Sequence, residues 1–200
     1  MTPALLRVEE LVAGYGKPVV GPVSLTLEPG EVVGLWGANG SGKSTLLNAI
    51  AEQADILSGR IRRAPALTLA YQAQHPVRLA TLPLTGAEFL RYADASSTGM
   101  PAALQRGLRR RIDRLSGGEY QLLCVWAALA GHAELVLLDE PTNNLDPERE
   151  TLLVEMLAPG RAAPGVAVRA TRARRAVLVV SHTRAFLERV CSRVIEITGC

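Results

Sequence analysis

The sequence predicts an α/β protein built on a mostly parallel β-sheet, with a helical lobe inserted into it. Three observations carry that expectation. Short, continuously apolar runs at Val32–Trp36, Leu135–Leu138 and Val177–Val180 have the texture of parallel strands buried on both faces. The first of them opens into a glycine-rich loop, Gly37-Ala-Asn-Gly-Ser-Gly-Lys-Ser44, and then into a helix-like segment. From His75 to Ala130 the apolar runs give way to helical spacing broken by Pro, Gly and Ser.

Taken in order, Leu5–Leu11 and the more regularly alternating Val23–Leu27 read as strands, and Pro29-Gly30 as a turn. After Val32–Trp36, the segment Thr45–Ala54 reads as a helix with Leu46, Leu47 and Ile50 on one face. Leu67–Tyr71 is a further strand. Glu88–Tyr92, Ala102–Arg111 and Glu119–Ala130 are helical. Leu135–Leu138 returns to buried strand, and Pro147 suits the first position of a helix capped by Asp146. Pro159–Ala170 is a Gly/Pro/Ala loop. Val177–Val180 is a strand, Thr183–Cys191 a helix and Val194–Ile197 a terminal strand. No internal repeat is visible, so the chain carries one copy of its unit.

Length and composition narrow the class. Two hundred residues, 48% apolar and 20% charged, suit one globular domain with an ample core. No apolar run approaches the roughly 20 residues that span a bilayer, and Met1–Arg7 has no basic segment followed by an apolar one, so no secretory signal is expected. A cytoplasmic chain is expected, with any membrane role exercised through a partner. Net charge is +3, and the arginines cluster at Arg106–Arg114 and Arg161–Arg175 with little aromatic interleaving. They read as solvated faces, and no nucleic-acid partner is expected. Cys124, Cys191 and Cys200 are scattered and show neither metal-ligand spacing nor a disulfide framework.

The glycine-rich loop is where chemistry begins. Gly37, Gly42, Lys43 and Ser44 fit the phosphate-loop spacing. Glycines let successive backbone N–H groups curl around phosphate oxygens, and the following helix points its positive end at the same anion. Asn39, Gly40, Ser41 and Thr45 belong to the same cradle. Lys43 adds charge near the β and γ phosphates, and Ser44 offers a hydroxyl to Mg²⁺. Asp139 ends the apolar run Leu135–Leu138, so its carboxylate emerges at a strand tip, where an acid can hold Mg²⁺ directly or through water. Glu140 beside it is suited to polarise an attacking water.

With these residues in place the chain resembles the ATP-binding cassette (ABC) ATPases over nearly its whole length. Gly37–Ser44 resembles their Walker A motif, Leu135–Glu140 their Walker B with its catalytic glutamate, and Leu115-Ser-Gly-Gly-Glu119 their signature, whose commonest form ends in Gln. Asn144-Leu-Asp146 is similar to the D-loop, His182 to the switch histidine and Gln74 to the Q-loop glutamine. Tyr15, in Gly14-Tyr-Gly16, is similar to the aromatic that stacks on adenine. All seven stand in family order. On the residues alone, Gln72 rivals Gln74 and a packing role rivals stacking for Tyr15. His75 and His132 read as structural.

The resemblance implies a P-loop NTPase of ABC type over residues 1–200. Its nucleotide-binding core would span about 1–74 and 135–200, with an antiparallel β subdomain at the N-terminus, and its helical subdomain about 75–134. It implies ATP and Mg²⁺ as cofactors, with Glu140, His182, Lys43 and Gln74 catalytic and with Ser44, Gln74 and Asp139 around Mg²⁺. It implies that Ser116, Gly117 and Gly118, at a helix N-terminus, form a second anion site facing the γ phosphate held by another cassette. One chain therefore holds an incomplete site, and a homodimer or a pairing with a related ATPase is expected. Also implied are a membrane permease, a substrate-binding protein and a position on the inner face of the membrane. The segment Thr81–Leu90 and Glu119 resemble zinc and manganese importer ATPases. Pro141–Asp146 is close to the motif of soluble, ribosome-associated cassette proteins, which keeps a translation role as the alternative. Two departures stand out. Leu122 and Ala127 occupy positions where the family usually has arginine, which puts local support of the signature helix in question.

Overall fold

A computed structural model describes residues 3–74, 83–158 and 174–199. The chain starts with strands β1 (Leu6–Gly14) and β2 (Pro18–Leu27), followed by β3 (Val32–Trp36), helix α1 (Lys43–Ile50), β4 (Asp55–Arg63) and β5 (Leu69–Gln72). Helices α2 (Gly86–Tyr92), α3 (Ala102–Gln105) and α4 (Gly117–Ala130) come next. They precede β6 (Leu135–Asp139), α5 (Pro147–Leu157), β7 (Ala176–Val180), α6 (Arg184–Val190) and β8 (Arg193–Glu196). Five strands form a parallel sheet in the order β5-β6-β7-β3-β8, and three form an antiparallel sheet in the order β2-β1-β4.

The parallel sheet is apolar throughout because both its faces are covered. Successive side chains on a strand point to opposite faces. Val136, Leu138, Val177 and Val179 pack with α4, α5 and α6 in one core, whereas Leu135, Leu137, Leu178 and Val180 pack with α1, β1 and β2 in the other. Gly34 on β3 permits the close approach of α6, since a Cβ there would lie 3.1 Å from Cys191 Sγ and 3.2 Å from Leu187 Cδ2. Between β5 and β6, α2 and α4 are tied by the tilted ring pair Phe89–Tyr120, 6.0 Å between centroids. The buried Trp126 donates its indole N–H to Ser96 O at 2.9 Å.

Several elements differ from expectation. β4 pairs along β1, although its composition gives little strand signal. α1 ends at Ile50 rather than Ala54, because Glu52 takes a left-handed φ of 62°. The expected helix Ala102–Arg111 is α helix only to Gln105, then a tight 3₁₀ turn over Arg106–Arg109. Arg110 is extended there and its carbonyl accepts from Gly86 N at 2.9 Å, so tertiary pairing overrides helix propensity. The loop Pro159–Ala170, His75 and Thr81 lie outside the described residues.

Candidate active site

All five parallel strands end on the same edge of the sheet, and the chain's chemistry collects there. Trp36 at the end of β3 leads into the phosphate loop. Asp139 closes β6, Ser181 and His182 follow β7, and Gln74 follows β5. Register puts Asp139 beside Val180 and Gln72 beside Leu138. A parallel sheet binds ligands at this carboxyl edge.

The loop has the features a phosphate cradle needs. Gly40 and Gly42 hold φ of 81° and 85°, and a Cβ on Gly42 would fall 2.5 Å from Val20 Cβ. A Cβ on Gly37 would meet Ile197 O at 2.3 Å. The N-terminus of α1 has no side-chain cap, so its first N–H groups remain for an anion. Lys43 Nζ donates to Gly37 O and Ala38 O, both at 2.8 Å, and curls over the loop. The Ser44 hydroxyl donates to Asp139 Oδ1 at 3.1 Å, and the Tyr71 hydroxyl lies 3.4 Å from Asp139 Oδ2. Burial, with the Asp139 charge beside it, pushes the Tyr71 phenol well above its ordinary pKa, so it stays a donor.

Asn39, Gly40, Gly42, Lys43, Ser44, Thr45, Gln74 and Glu140, with Val19, line one cavity of about 320 Å³. Ser41 is buried beneath the loop, and its hydroxyl has no hydrogen-bond partner among the described residues. Of the two glutamines only Gln74 reaches this cavity; Gln72 is buried on β5 and donates to Ala73 O. Glu140, also buried, has a left-handed φ of 47°, and its Oε2 meets His182 Nδ1 at 2.9 Å. Tyr15 is 54% exposed, and its hydroxyl accepts from Asn48 Nδ2 at 2.7 Å.

The signature residues stand apart from that cavity. Ser116 caps α4 in a reciprocal box, its hydroxyl accepting from Glu119 N (3.2 Å) while Glu119 accepts from Ser116 N (2.6 Å). Gly118 is pressed against the stretch before α5, where a Cβ would lie 3.0 Å from Asn144 O. Asp146 caps α5 by accepting from Arg149 N at 2.9 Å.

Support of α4 comes from apolar packing at the two replaced positions and from a buried cation at its far end. Leu122 is fully buried and Ala127 nearly so, both in the core. The C-terminal end of the helix is held by the buried Arg175, whose guanidinium donates to Leu129 O, Gly131 O (2.7 Å) and Ala133 O (2.8 Å). The expectation that Arg161–Arg175 is a solvated face fails at Arg175, which is buried because its guanidinium finds three carbonyl acceptors. Neither that role nor the bond of Asn48 is visible in the sequence, because the partners stand 33 to 46 residues away in the chain. Val19 carries no chemical signal at all. Among the described residues no group of three or more His, Cys, Asp or Glu could hold a metal ion, and no helix is long and apolar enough to cross a membrane.

An uncapped helix behind a glycine cradle, a lysine above it and a Ser–Asp pair at the strand edge define a P-loop nucleotide site. Residues 20–143 match the family described as ABC transporter. The chain is 36% identical over its whole length to 78% of the zinc import ATP-binding protein ZnuC of Paracoccus denitrificans. It is 37% identical, over 96% of its length and 78% of the relative, to ZnuC of Cereibacter sphaeroides. Among solved structures, an ATP-binding subunit of an ABC transporter is 26% identical with a TM-score of 0.75, covering 97% of this chain and 86% of that one. A bacterial Atm1-family ABC exporter with ATP bound shares the fold at a TM-score of 0.76 and 19% identity, over 98% of this chain and 39% of that one. The chain belongs to the ABC transporter family. It is an ATP-binding, ATP-hydrolysing subunit of the kind that works as a dimer with a membrane permease.

Proposed function

We propose that this chain drives import of zinc or a similar divalent metal by binding and hydrolysing ATP as one of two cassettes beneath a permease. The near-full-length similarity to relatives named for zinc import carries the cargo assignment. The ribosomal alternative has no counterpart among those relatives. The metal is cargo for the permease, with a substrate-binding protein delivering it. The chain acts as one ATP-binding domain over 1–200, with 75–134 its helical part. It pairs with its own copy or a related ATPase and sits peripherally on the inner face of the membrane.

The residues present fit ATP with Mg²⁺. The uncapped N–H groups of α1 and the glycine cradle suit a triphosphate, and the Ser44–Asp139 pair supplies the hard oxygen donors that Mg²⁺ prefers. Mg²⁺, when bound, neutralises charge on the β and γ phosphates. Tyr15 stacks on adenine. Lys43 leaves the carbonyls of Gly37 and Ala38 for phosphate oxygens. Gln74 and Glu140, on the same cavity, orient a water, and Glu140 accepts its proton as the water oxygen attacks the γ phosphorus and the bond to the β–γ bridging oxygen breaks. His182 holds the Glu140 carboxylate and approaches the γ phosphate. Ser116–Gly118 of the second cassette complete the anion site.

The test is Glu140→Gln. Hydrolysis should fall by at least about 10²-fold, the scale of general-base catalysis, while ATP still drives dimer formation by light scattering. A variant that turns over ATP normally would remove Glu140 from this role. For cargo, vesicles holding the full transporter should accumulate zinc only with ATP; accumulation of another solute instead would overturn the metal assignment.

A further inference from the structure

We propose that Arg110 keeps the signature turn electrically neutral, so that the N-terminus of α4 can receive the γ phosphate of ATP held by a second cassette. The inference rests on the signature reading given above. Glu119 places a carboxylate in the first turn of α4, where its two oxygens are divided between partners. Oε2 accepts from Ser116 N at 2.6 Å and Oε1 from Arg110 Nη1 at 2.8 Å. The backbone N–H of Ser116, helped by Arg110, holds this carboxyl below its ordinary pKa, so it is ionised at neutral pH. An anion in the first turn favours the helix itself but repels a phosphate approaching the same N–H groups.

Arg110 is built to cancel that charge. Its second guanidinium nitrogen donates to Arg114 O, so the group is held at two points. Its backbone is fixed by the bond from Gly86 N. Asp113, just before the turn, is paired with Arg111, and Asp146, beside it, also has an arginine of its own. Arg149 pairs with it and runs so close to Gly118 that a Cβ there would lie 2.8 Å from Arg149 Cδ. Glu119, Asp113 and Asp146 are therefore each matched by an arginine, at the place where an anion has to land. A glutamine at 119 would offer Ser116 N the same acceptor oxygen without the charge, and Arg110 would then have nothing to cancel. Arg110 is a positioning and charge-balancing residue.

The experiment compares ATP-driven dimerisation, by light scattering, in a Glu140→Gln background. Arg110→Gln should raise the ATP concentration for half-dimerisation by about tenfold at low salt, the scale of one unscreened like charge at a few ångströms, and by less at about 0.5 M salt. Arg110→Gln with Glu119→Gln should return to within about twofold of the parent. An unchanged Arg110→Gln, or a double variant as weak as the single one, would overturn the charge-balance role. Ser116→Ala separates the two levels. If it leaves dimerisation intact, the signature reading fails and this inference with it. If it weakens dimerisation while Arg110→Gln does not, only the role of Arg110 fails.

Discussion

Ser44, on the first turn of α1, donates its hydroxyl hydrogen bond to Asp139 at the tip of β6, joining two segments 95 residues apart at 3.1 Å. The bond pre-assembles an oxygen pair with the spacing to share one cation. Asp139→Asn should therefore weaken ATP binding by at least about tenfold, or 1.4 kcal/mol, when Mg²⁺ is present and have little effect when it is chelated. A fluorescent-nucleotide titration with and without EDTA reads the difference. Equal losses in both conditions would take Asp139 away from the metal.

Acid sensitivity should expose the cap of the signature helix. Glu119 has its pKa lowered from 4.5, first by the Ser116 backbone N–H and further by Arg110. A carboxyl depressed on folding adds stability above its unfolded pKa and loses it as the pH falls through the folded one. Thermal unfolding of the parent and Glu119→Gln should differ by a constant amount at neutral pH and converge below about pH 4.5. Parallel curves down to pH 3 or so would show that the carboxyl carries no folding linkage.

Arg175→Met should destabilise the chain by about 3 kcal/mol, because three carbonyls at the end of α4 lose their donor in a buried setting. Arg175→Lys, able to satisfy only part of that set, should fall between. Urea unfolding midpoints measure both, and an unchanged midpoint would show that water replaces the guanidinium at no cost.

Tyr15 offers a test of stacking against packing. Tyr15→Phe keeps the ring and loses only the bond from Asn48, so nucleotide affinity should hold within about threefold. Tyr15→Ala removes a contact worth about 1 kcal/mol, roughly fivefold. Equal effects of both changes on ATP affinity would assign the residue to its hydroxyl instead.

How much was legible depends on whether a residue's role is local. The buried strands declare themselves because a chain covered on both faces must be apolar at every position, as Leu135–Leu138 and Val177–Val180 are. The phosphate loop and the Asp146 cap are local too, and stand where expected. β4 leaves no trace in the sequence because Asp55–Arg63 is nearly all exposed and rich in arginine, so it carries no alternation. The helical spacing of Ala102–Arg111 overstates the helix because the Arg110 carbonyl is taken by Gly86, a partner that propensity cannot see. The replaced arginines at 122 and 127 suggested a weakly held signature helix. Leu122 instead fills the core, while Arg175 does the anchoring from the far side of β6.

The phosphate loop is also roofed by the latest-made stretch of the described chain. Ile197 N donates to Trp36 O at 2.7 Å, its carbonyl covers Gly37, and Gly199 bridges to Val20. During synthesis the loop leaves the ribosome some 160 residues before its cover does. A nascent chain ending short of Ile197 has its glycines and lysine but lacks the backbone that shapes them. The shape of the cradle thus depends on backbone some 160 residues further along the chain as well as on its own glycines.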